Sequence, residues 1–152
     1  MAAHRLMLEE DFCFGLGWEA EMTWGQYLHR LESVRLGVDL AEDRVPMTFL
    51  VAEVDATMVG RVSIRHRLNE FLMHEGGHIG FGVVPGQRRK GHATEILGQS
   101  LALAHELAIS PVLVACDEGN TGSATVIERC GGVLESTVVG AGGGRVRRYW
   151  IG

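Results

Sequence analysis

The first third of the chain carries apolar residues at the spacing of an amphipathic helix. From Tyr27 to Val38 they recur every three or four positions, so they fall on one helical face. Thr23, with Gln26 three residues later, is the signature of a helix start in which the two side chains cap the backbone, and Gly37 is typical of a helix end. The pattern therefore predicts a helix that begins after Thr23 and ends at Gly37.

The rest of the chain alternates between strand and helix patterns. Met47 to Val54 and Met58 to Arg65, separated by a short turn, predict an antiparallel hairpin. The later elements are predicted as a strand at His78 to Val84, a helix from Ala93, a strand at Val112 to Cys116, a helix at Ser123 to Cys130, and a last hairpin of Val133 to Val139 and Arg145 to Ile151. This order predicts one mixed α/β (α+β) domain over residues 1–152, in which residues 78–116 form a strand–helix–strand crossover.

Composition and charge narrow the class of protein. The net charge of -5 argues against nucleic acid as a partner, because phosphate binding needs a basic face. No run approaches the roughly 18 apolar residues of a membrane span, and the acidic stretch Met1 to Asp11 has no signal-peptide core. Cys13, Cys116 and Cys130 fit neither a disulfide framework nor a metal-binding spacing. We therefore expect a cytoplasmic protein without a bound metal.

The segment from Val83 to Ala93 has the features of a phosphate-binding loop. A strand ends, three basic residues follow at Arg88 to Lys90, and a helix starts after Gly91. The free N–H groups and partial positive charge of a helix N-terminus bind anions, and small residues let a phosphate approach the backbone. The pattern alone also fits a solvated loop before a helix, and it matches neither the P-loop nor the dinucleotide-binding fingerprint.

The motif Arg88-x-x-Gly91-x-Ala93 resembles the pyrophosphate signature of the GNAT acetyltransferase family. Downstream, the segments 116–123 and 127–132 resemble the second conserved region of that family. Gly77 to Gly80 and Arg148 to Ile151 resemble a bacterial subgroup of predicted acetyltransferases. The resemblance extends from residue 47 to the C-terminus. It implies a mixed, mostly antiparallel sheet flanked by helices, in which the parallel strands predicted at 78–84 and 112–116 splay apart.

The resemblance also implies an activity, which is transfer of an acetyl group from acetyl-CoA to a primary amine of a small molecule or protein by direct attack. The pantetheine arm would lie on backbone groups between the splayed strands, and the pyrophosphate would lie on backbone N–H groups of the loop. The residues implied in cofactor binding are Phe81, Gly82, Val83, Arg88, Arg89, Lys90, Gly91, His92, Ala93, Asn120 and Ser123. A homodimer is considered because many relatives pair.

The catalytic groups are less clearly marked than the cofactor loop. A general base is needed because an alkyl amine, with a pKa of about 10.4, must lose a proton before it attacks. His78, Glu53 and Glu75 are the candidates, although His78 could also be structural and the two glutamates could face solvent. Many relatives carry a tyrosine acid where this chain has Ile127, so Tyr149 and Ser123 are considered as substitutes.

Other interpretations stay open at this point. A CoA-binding module without turnover is the main alternative, because Ile127 cannot donate a proton. The string from His74 to His78 matches the zinc-protease pattern His-Glu-x-x-His, but its two glycines disfavour the helix that such a site needs. Residues 65–67 could meet an anionic substrate or form a solvated hairpin end. Trp18 and Trp24 could line an acceptor pocket, or, as we favour, pack in the core.

Overall fold

The computed structural model describes residues 15–38 and 40–152, so Cys13 and the acidic stretch before it lie outside the described residues. The elements are α1 (Trp24–Leu36), β1 (Met47–Val54), β2 (Thr57–Arg65), β3 (Ile79–Val83), α2 (His92–Glu106), β4 (Val112–Asp117), α3 (Thr121–Arg129), β5 (Val133–Val139) and β6 (Arg145–Ile151). A π-helical turn at Leu72–Gly76 and a 3₁₀ turn at Pro85–Gln87 complete the secondary structure. The pattern predicted the strands, α1 and α3 to within two residues at both ends, and the start of α2 to within one residue, but it predicted neither of the two short turns.

The strands form a single six-stranded sheet in the order β1-β2-β3-β4-β6-β5. Every neighbouring pair is antiparallel except β3 and β4, which run parallel and are joined through α2. The predicted mixed, mostly antiparallel sheet with one parallel pair is confirmed. None of the described helices is long and apolar enough to cross a membrane.

The start of α1 shows the capping that its sequence predicts. The backbone N–H of Gln26 donates to Thr23 Oγ1 at 3.3 Å, and Gln26 Oε1 accepts from the backbone N–H of Thr23 at 2.9 Å. Gly37 ends the helix with a φ of 72°, the left-handed conformation in which glycine is favoured. Two N-terminal backbone donors of the helix region are thereby satisfied without tertiary contacts.

The aromatic residues beside the start of α1 are less buried than the sequence predicted. The ring centroids of Trp18 lie 5.1 Å from those of both Trp24 and Tyr27. Tyr27 is buried at 5% exposure, whereas Trp24 is 58% exposed. The expectation that both tryptophans pack in the core is therefore wrong for Trp24, which covers the outside of the cluster.

The two faces of β2 show how the sheet separates core from site. Val62 and Ile64 point into the apolar core beneath α2, together with Ile79, Leu97 and Ile127. A Cβ on Gly60, on the same face, would lie 2.8 Å from Ile96 Cδ1, which shows how closely α2 packs there. Because strand side chains alternate between faces, Arg61, Ser63 and Arg65 lie on the opposite face of the sheet.

Candidate active site

The gap between β3 and β4 is the main irregularity of the sheet. One residue pair, Ile79 and Val114, joins these parallel strands, and the N–H of His78 donates to the carbonyl of Leu113 at 2.7 Å beside it. On its other side, β4 pairs with β6 along its whole length, from Val112 to Asp117. The strands β3 and β4 are therefore held together where β3 begins and separate towards their carboxyl ends, as predicted for a splayed pair.

The edge of β3 that faces the gap offers backbone groups from Phe81 and Val83. The N–H of Arg65 donates to the His78 carbonyl and the N–H of Val84 donates to the Val59 carbonyl, so the even-numbered residues of β3 bond to β2. Backbone groups alternate in direction along a strand, so those of Phe81 and Val83 point into the gap. Gly82, which is opposite Arg61, is turned towards β2. The expectation that its backbone contacts the cofactor is therefore not supported.

The loop before α2 forms a concave array of backbone donors. Arg89 and Gly91 have positive φ values of 64° and 87°, and such alternation of backbone conformation makes anion-binding concavities. The N–H groups from Arg89 to Ala93 have no acceptor among the described residues, whereas the flanking N–H groups of Arg88 and Thr94 bond to Pro85 and Gly91. A Cβ on Gly91 would meet nothing within 4 Å, so the space in front of these donors is open. We call residues 89–93 the backbone cradle.

The basic side chains of the loop have different roles from its backbone. Arg88 Nε donates to the carbonyl of Val83 at 3.1 Å, which ties the loop to the end of β3. Lys90 Nζ donates to Gln87 Oε1 at 2.9 Å across the loop. All three basic residues, Arg88 to Lys90, are exposed. Arg88 and Lys90 brace the loop, and all three residues supply positive charge around the backbone cradle.

A cleft of about 330 Å³ lies at the splayed strands. Its polar lining comes from four separate parts of the chain: Arg61 and Arg65 of β2, Glu75 of the π-helical turn, Asp117 at the end of β4, and Asn120 and Ser123 at the start of α3. Phe81 of β3 lines the same cleft, so the gap and the cleft are continuous. We call this space the acceptor cleft.

The start of α3 brings Asn120 and Ser123 to the cleft. Asn120 Oδ1 accepts a hydrogen bond from the backbone N–H of Ser123 at 3.0 Å and caps the helix. This leaves the amide Nδ2 of Asn120 as a donor at the cleft wall. Ile127, at the position where many relatives carry a tyrosine, is fully buried in the core.

His78 has a structural contact that argues against its predicted role as the base. The side chain is 8% exposed, and its Nδ1 accepts from the backbone N–H of Leu113 at 2.9 Å. Burial, together with the nearby positive charge of Arg65, lowers the pKa of His78, which favours the neutral ring. A neutral imidazole has one basic nitrogen, and here it is occupied. His78 therefore joins β3 to β4 at the closed end of the gap.

Two further predicted catalytic residues, Glu53 and Tyr149, also lie away from the cleft. Glu53 is exposed on β1, which is at the edge of the sheet, and it does not line the cleft. Tyr149 is fully buried and its hydroxyl donates to Glu128 Oε1 at 3.2 Å. Burial raises the pKa of Tyr149, so the group holds its proton. The geometry supports neither Glu53 as a base nor Tyr149 as an acid.

Two carboxylates do line the cleft, and one of them was missed. Glu75, a candidate from the sequence, is half-buried, and its Oε1 accepts from the backbone N–H of Ala141 at 2.9 Å. Asp117 stands at the open end of β4. In the sequence, only its position three residues before Asn120 marks Asp117 as a candidate. That position indicates a role in the site only when β4 is known to border the gap.

The two histidines of the His-Glu-x-x-His pattern do not come together as metal ligands. His74 Nε2 lies 2.9 Å from the carbonyl of Val139 on β5, whereas His78 is bonded to β4. Gly77, with a φ of 65°, ends the turn between them. Among the described residues, no group of three or more histidine, cysteine or acidic side chains is placed to hold a metal ion.

Comparison with known proteins gives the fold a context. The family model described as the acetyltransferase (GNAT) domain matches residues 4–133. The structure resembles yncA of Salmonella typhimurium, solved with its cofactor acetyl-CoA, at 14% identity and a TM-score of 0.61, over 88% of this chain and 75% of that one. No curated protein matches the sequence.

Two further solved structures have the same architecture. An acetyltransferase from Agrobacterium tumefaciens str. C58 is 22% identical, with a TM-score of 0.63 over 97% of this chain and 83% of that one. The dodecameric spermidine N-acetyltransferase of Vibrio cholerae is 18% identical, with a TM-score of 0.65 over 97% of this chain and 84% of that one. At such identities the likeness establishes the fold.

Proposed function

This chain belongs to the acetyltransferase (GNAT) domain family, and from that premise we propose that it transfers an acetyl group from acetyl-CoA to a primary amine of a small molecule or protein. One observation carries the proposal. The gap between β3 and β4 connects a set of backbone donors without acceptors among the described residues to a cleft with carboxylates in its wall. This arrangement suits a long cofactor that is anionic at one end and reactive at the other.

The cofactor would bind mainly through the backbone. The pyrophosphate would accept hydrogen bonds from the backbone cradle, where the N-terminus of α2 adds partial positive charge. The pantetheine amides would pair with the groups of Phe81 and Val83 that point into the gap, in place of the missing strand neighbour. Asn120 Nδ2 would donate to the arm from the opposite wall. The donors of these contacts, which are the backbone N–H groups and Asn120 Nδ2, have no acceptor among the described residues, whereas the carbonyl of Val83 also accepts from Arg88 Nε.

The chemistry proposed is direct attack of the amine on the thioester. The amine nitrogen forms a bond to the carbonyl carbon, the carbon–sulfur bond breaks, and the sulfur leaves as a thiolate. A backbone N–H at Phe81 or Val83 would stabilise the negative charge that develops on the thioester oxygen. With a thiol pKa of about 8.5, the thiolate is a stable leaving group that needs no dedicated acid.

We assign the general base to a carboxylate of the cleft, with Glu75 preferred. An alkylammonium must lose its proton before attack, and a carboxylate acting through a water can accept it. Glu75 is preferred because the hydrogen bond from the backbone N–H of Ala141 fixes the position of its carboxylate at the cleft. Asp117 is the second candidate because it lines the same cleft from the β4 side.

A CoA-binding module with little turnover is the alternative function, and Ile127 favours it. This buried residue cannot assist the leaving thiolate as a tyrosine would. The alternative predicts the same cofactor binding but no thiol release with any amine.

Calorimetric titration of the protein with acetyl-CoA tests the proposal, with CoA and ATP as controls. We expect saturable binding of one acetyl-CoA per chain, comparable binding of CoA, and weak binding of ATP. Free thiol should then appear when amines are added. The absence of acetyl-CoA binding would contradict the cofactor site, whereas binding without thiol release from a broad amine panel would favour the silent module.

A further inference from the structure

The acceptor cleft contains two arginines whose charge the acetyl transfer itself does not use. Arg61 and Arg65 alternate with core residues on β2, so both project from the face opposite α2 and into the cleft. Both lie against Gly80 of β3. Arg61 Nη1 donates to the carbonyl of Gly80 at 3.2 Å, and a Cβ on Gly80 would lie 3.4 Å from Arg65 Nη1. The missing side chain at Gly80 therefore makes room for the guanidinium groups.

Of the two arginines, Arg65 gives the clearer indication of what the cleft binds. Its Nη1 donates to the carbonyls of Gly76 and Gly77 at 3.0 and 3.2 Å. No carboxylate of residues 15–38 and 40–152 lies within 4 Å of its guanidinium. Burial lowers the pKa of Arg65, which reflects the cost of keeping this charge away from water. A half-buried cation of this kind is normally compensated by an anion, and the side of Arg65 that is open to a ligand faces the cleft.

The carboxylates of the cleft come from elements other than β2. The Glu75 carboxylate is turned to Ala141, in the turn between β5 and β6, and Asp117 belongs to β4. In the sheet order, β2 and β4 are separated by β3. The cleft is thus cationic over β2 and anionic over β4 and beyond. This polarity fits a molecule that has an amine at one end and a negative group at the other.

We propose that the acceptor is an amine that also carries a carboxylate, and that Arg65 binds this carboxylate. The inference rests on the proposed function, because it names the substrate class of that same cleft. A guanidinium suits a carboxylate because its planar set of donors matches two oxygens at once. Arg61 adds a second positive charge beside it. A polyamine without a negative group would place further positive charge against this wall and would be disfavoured.

The test compares amines that differ only in the carboxylate. Thiol release from acetyl-CoA would be measured with L-phenylalanine against phenethylamine, with L-lysine against cadaverine, and with spermidine. We expect kcat/KM for the carboxylate member of at least one pair to exceed that of its partner by about 100-fold or more, because a site built to bind a polar group rejects analogues that lack it. Equal use of both members, or preference for spermidine, would overturn the inference.

Variants assign the effect to Arg65. Arg65→Gln should raise KM for the carboxylate acceptor by roughly 100-fold and leave both the decarboxylated partner and the Kd of acetyl-CoA unchanged. Arg65→Lys should restore part of the loss, since it keeps the charge but not the planar fork. Arg67→Gln is the matched control, because Arg67 is exposed and does not line the cleft. An unchanged acceptor preference in folded Arg65→Gln would contradict the proposal.

A second readout separates this inference from the proposed function. CoA-saturated protein would be titrated calorimetrically with the members of each pair, so that acceptor binding is measured without turnover. If acetyl-CoA binds but no thiol is released, stronger binding of the carboxylate member that is lost in Arg65→Gln still supports the inference. Equal binding of both members would reject it, even if the enzyme proves active on simple amines. Where Arg65→Gln fails to fold, Arg61→Gln is used in the same comparison and is expected to weaken the carboxylate member by roughly 10-fold.

Discussion

The two halves of the site are built in different ways. The cofactor half uses backbone N–H groups from one short stretch, the backbone cradle, and the edge of the strand that leads into it. The acceptor half uses side chains from β2, the π-helical turn, the end of β4 and the start of α3. A site made of backbone needs small residues and fixed backbone angles in a row. A site made of side chains needs only that the fold bring distant residues together.

The largest effect is expected from Gly91→Leu, which tests the cofactor half alone. The leucine side chain would fill the open space in front of the donors, so the pyrophosphate would lose several charge-assisted hydrogen bonds. At about 1.5–3 kcal/mol for each such bond, acetyl-CoA affinity should fall by at least 1000-fold. Calorimetric titration measures the loss.

The control for this variant is Gly131→Leu. Gly131 has a φ of 89°, against 87° for Gly91, and a Cβ there also meets nothing within 4 Å. Both variants should lose a similar 1–2 kcal/mol of stability from the left-handed backbone, but only the first should lose acetyl-CoA. If the two variants bind acetyl-CoA equally well, the cofactor does not bind at the backbone cradle.

The sequence predicted the cofactor half because its signals are local. Gly91 and Ala93 stand in a motif, the basic residues adjoin it, and strand and helix periods flank it. The exception is Gly82: the motif marks it, but which backbone groups point into the gap depends on the register with β2. The crossover that joins β3 and β4 was predicted from the order of the elements, whereas the splay of these strands was implied only by the family resemblance.

The acceptor half was predicted poorly because its residues are meaningful only in three dimensions. Asp117 ends an apolar strand and looks like the start of a loop until β4 is placed beside the gap. Glu53 resembles a base in sequence, but the hairpin puts it on the sheet edge. Arg65 stood in a charged run with His66 and Arg67. β2 ends at Arg65, so His66 and Arg67 lie beyond the strand, and strand alternation turns Arg65 into the cleft with Arg61.

The second largest effect, in the acceptor half, is expected from Glu75→Gln. The amide oxygen can still accept the hydrogen bond from Ala141, so the change removes the basic group and little else. General-base catalysis contributes about 10²–10⁴-fold, and kcat should fall by at least 100-fold while acetyl-CoA binding is retained. Steady-state thiol release and titration measure the two quantities.

Asp117→Asn is the paired variant that tests which carboxylate is the general base, since Glu75 and Asp117 both line the cleft. If it lowers kcat and Glu75→Gln does not, the base is Asp117. If both variants keep their activity, the base is not a carboxylate of the described cleft.

A smaller effect is expected from Tyr149→Phe, which tests whether the buried hydroxyl belongs to the site. The change removes the hydrogen bond to Glu128 and leaves an exposed carboxylate that water can solvate. Unfolding by urea should show a loss of about 0.5–1.5 kcal/mol, and kcat should stay unchanged. A large fall in kcat at unchanged stability would restore Tyr149 as the acid.

The smallest effect on kcat and acetyl-CoA binding is expected from His78→Asn, where the cofactor half and the acceptor half of the site meet. Asparagine offers a carbonyl oxygen near the position of Nδ1, so the bond from Leu113 can be kept while the titrating group is removed. If His78 is structural, kcat and acetyl-CoA binding should change little. If it is the base, kcat should fall by roughly 100-fold in a protein that still binds acetyl-CoA.

The dependence of stability on pH gives the same variant a second readout. The pKa of His78 is lowered in the native state by burial and by Arg65, so the unfolded chain binds a proton that the native chain refuses. The stability contributed by the neutral ring is therefore complete above about pH 6.5 and is lost as the pH falls towards the native pKa, with a slope of at most about 1.4 kcal/mol per pH unit. His66, whose pKa is also lowered, acts in the same direction and remains in the variant. Unfolding by urea at pH 7.5, 6.5 and 5.5 should give a shallower loss for His78→Asn than for the wild type. Parallel curves would mean that the bond from Leu113 does not hold His78 neutral, and the closed end of the gap would need another explanation.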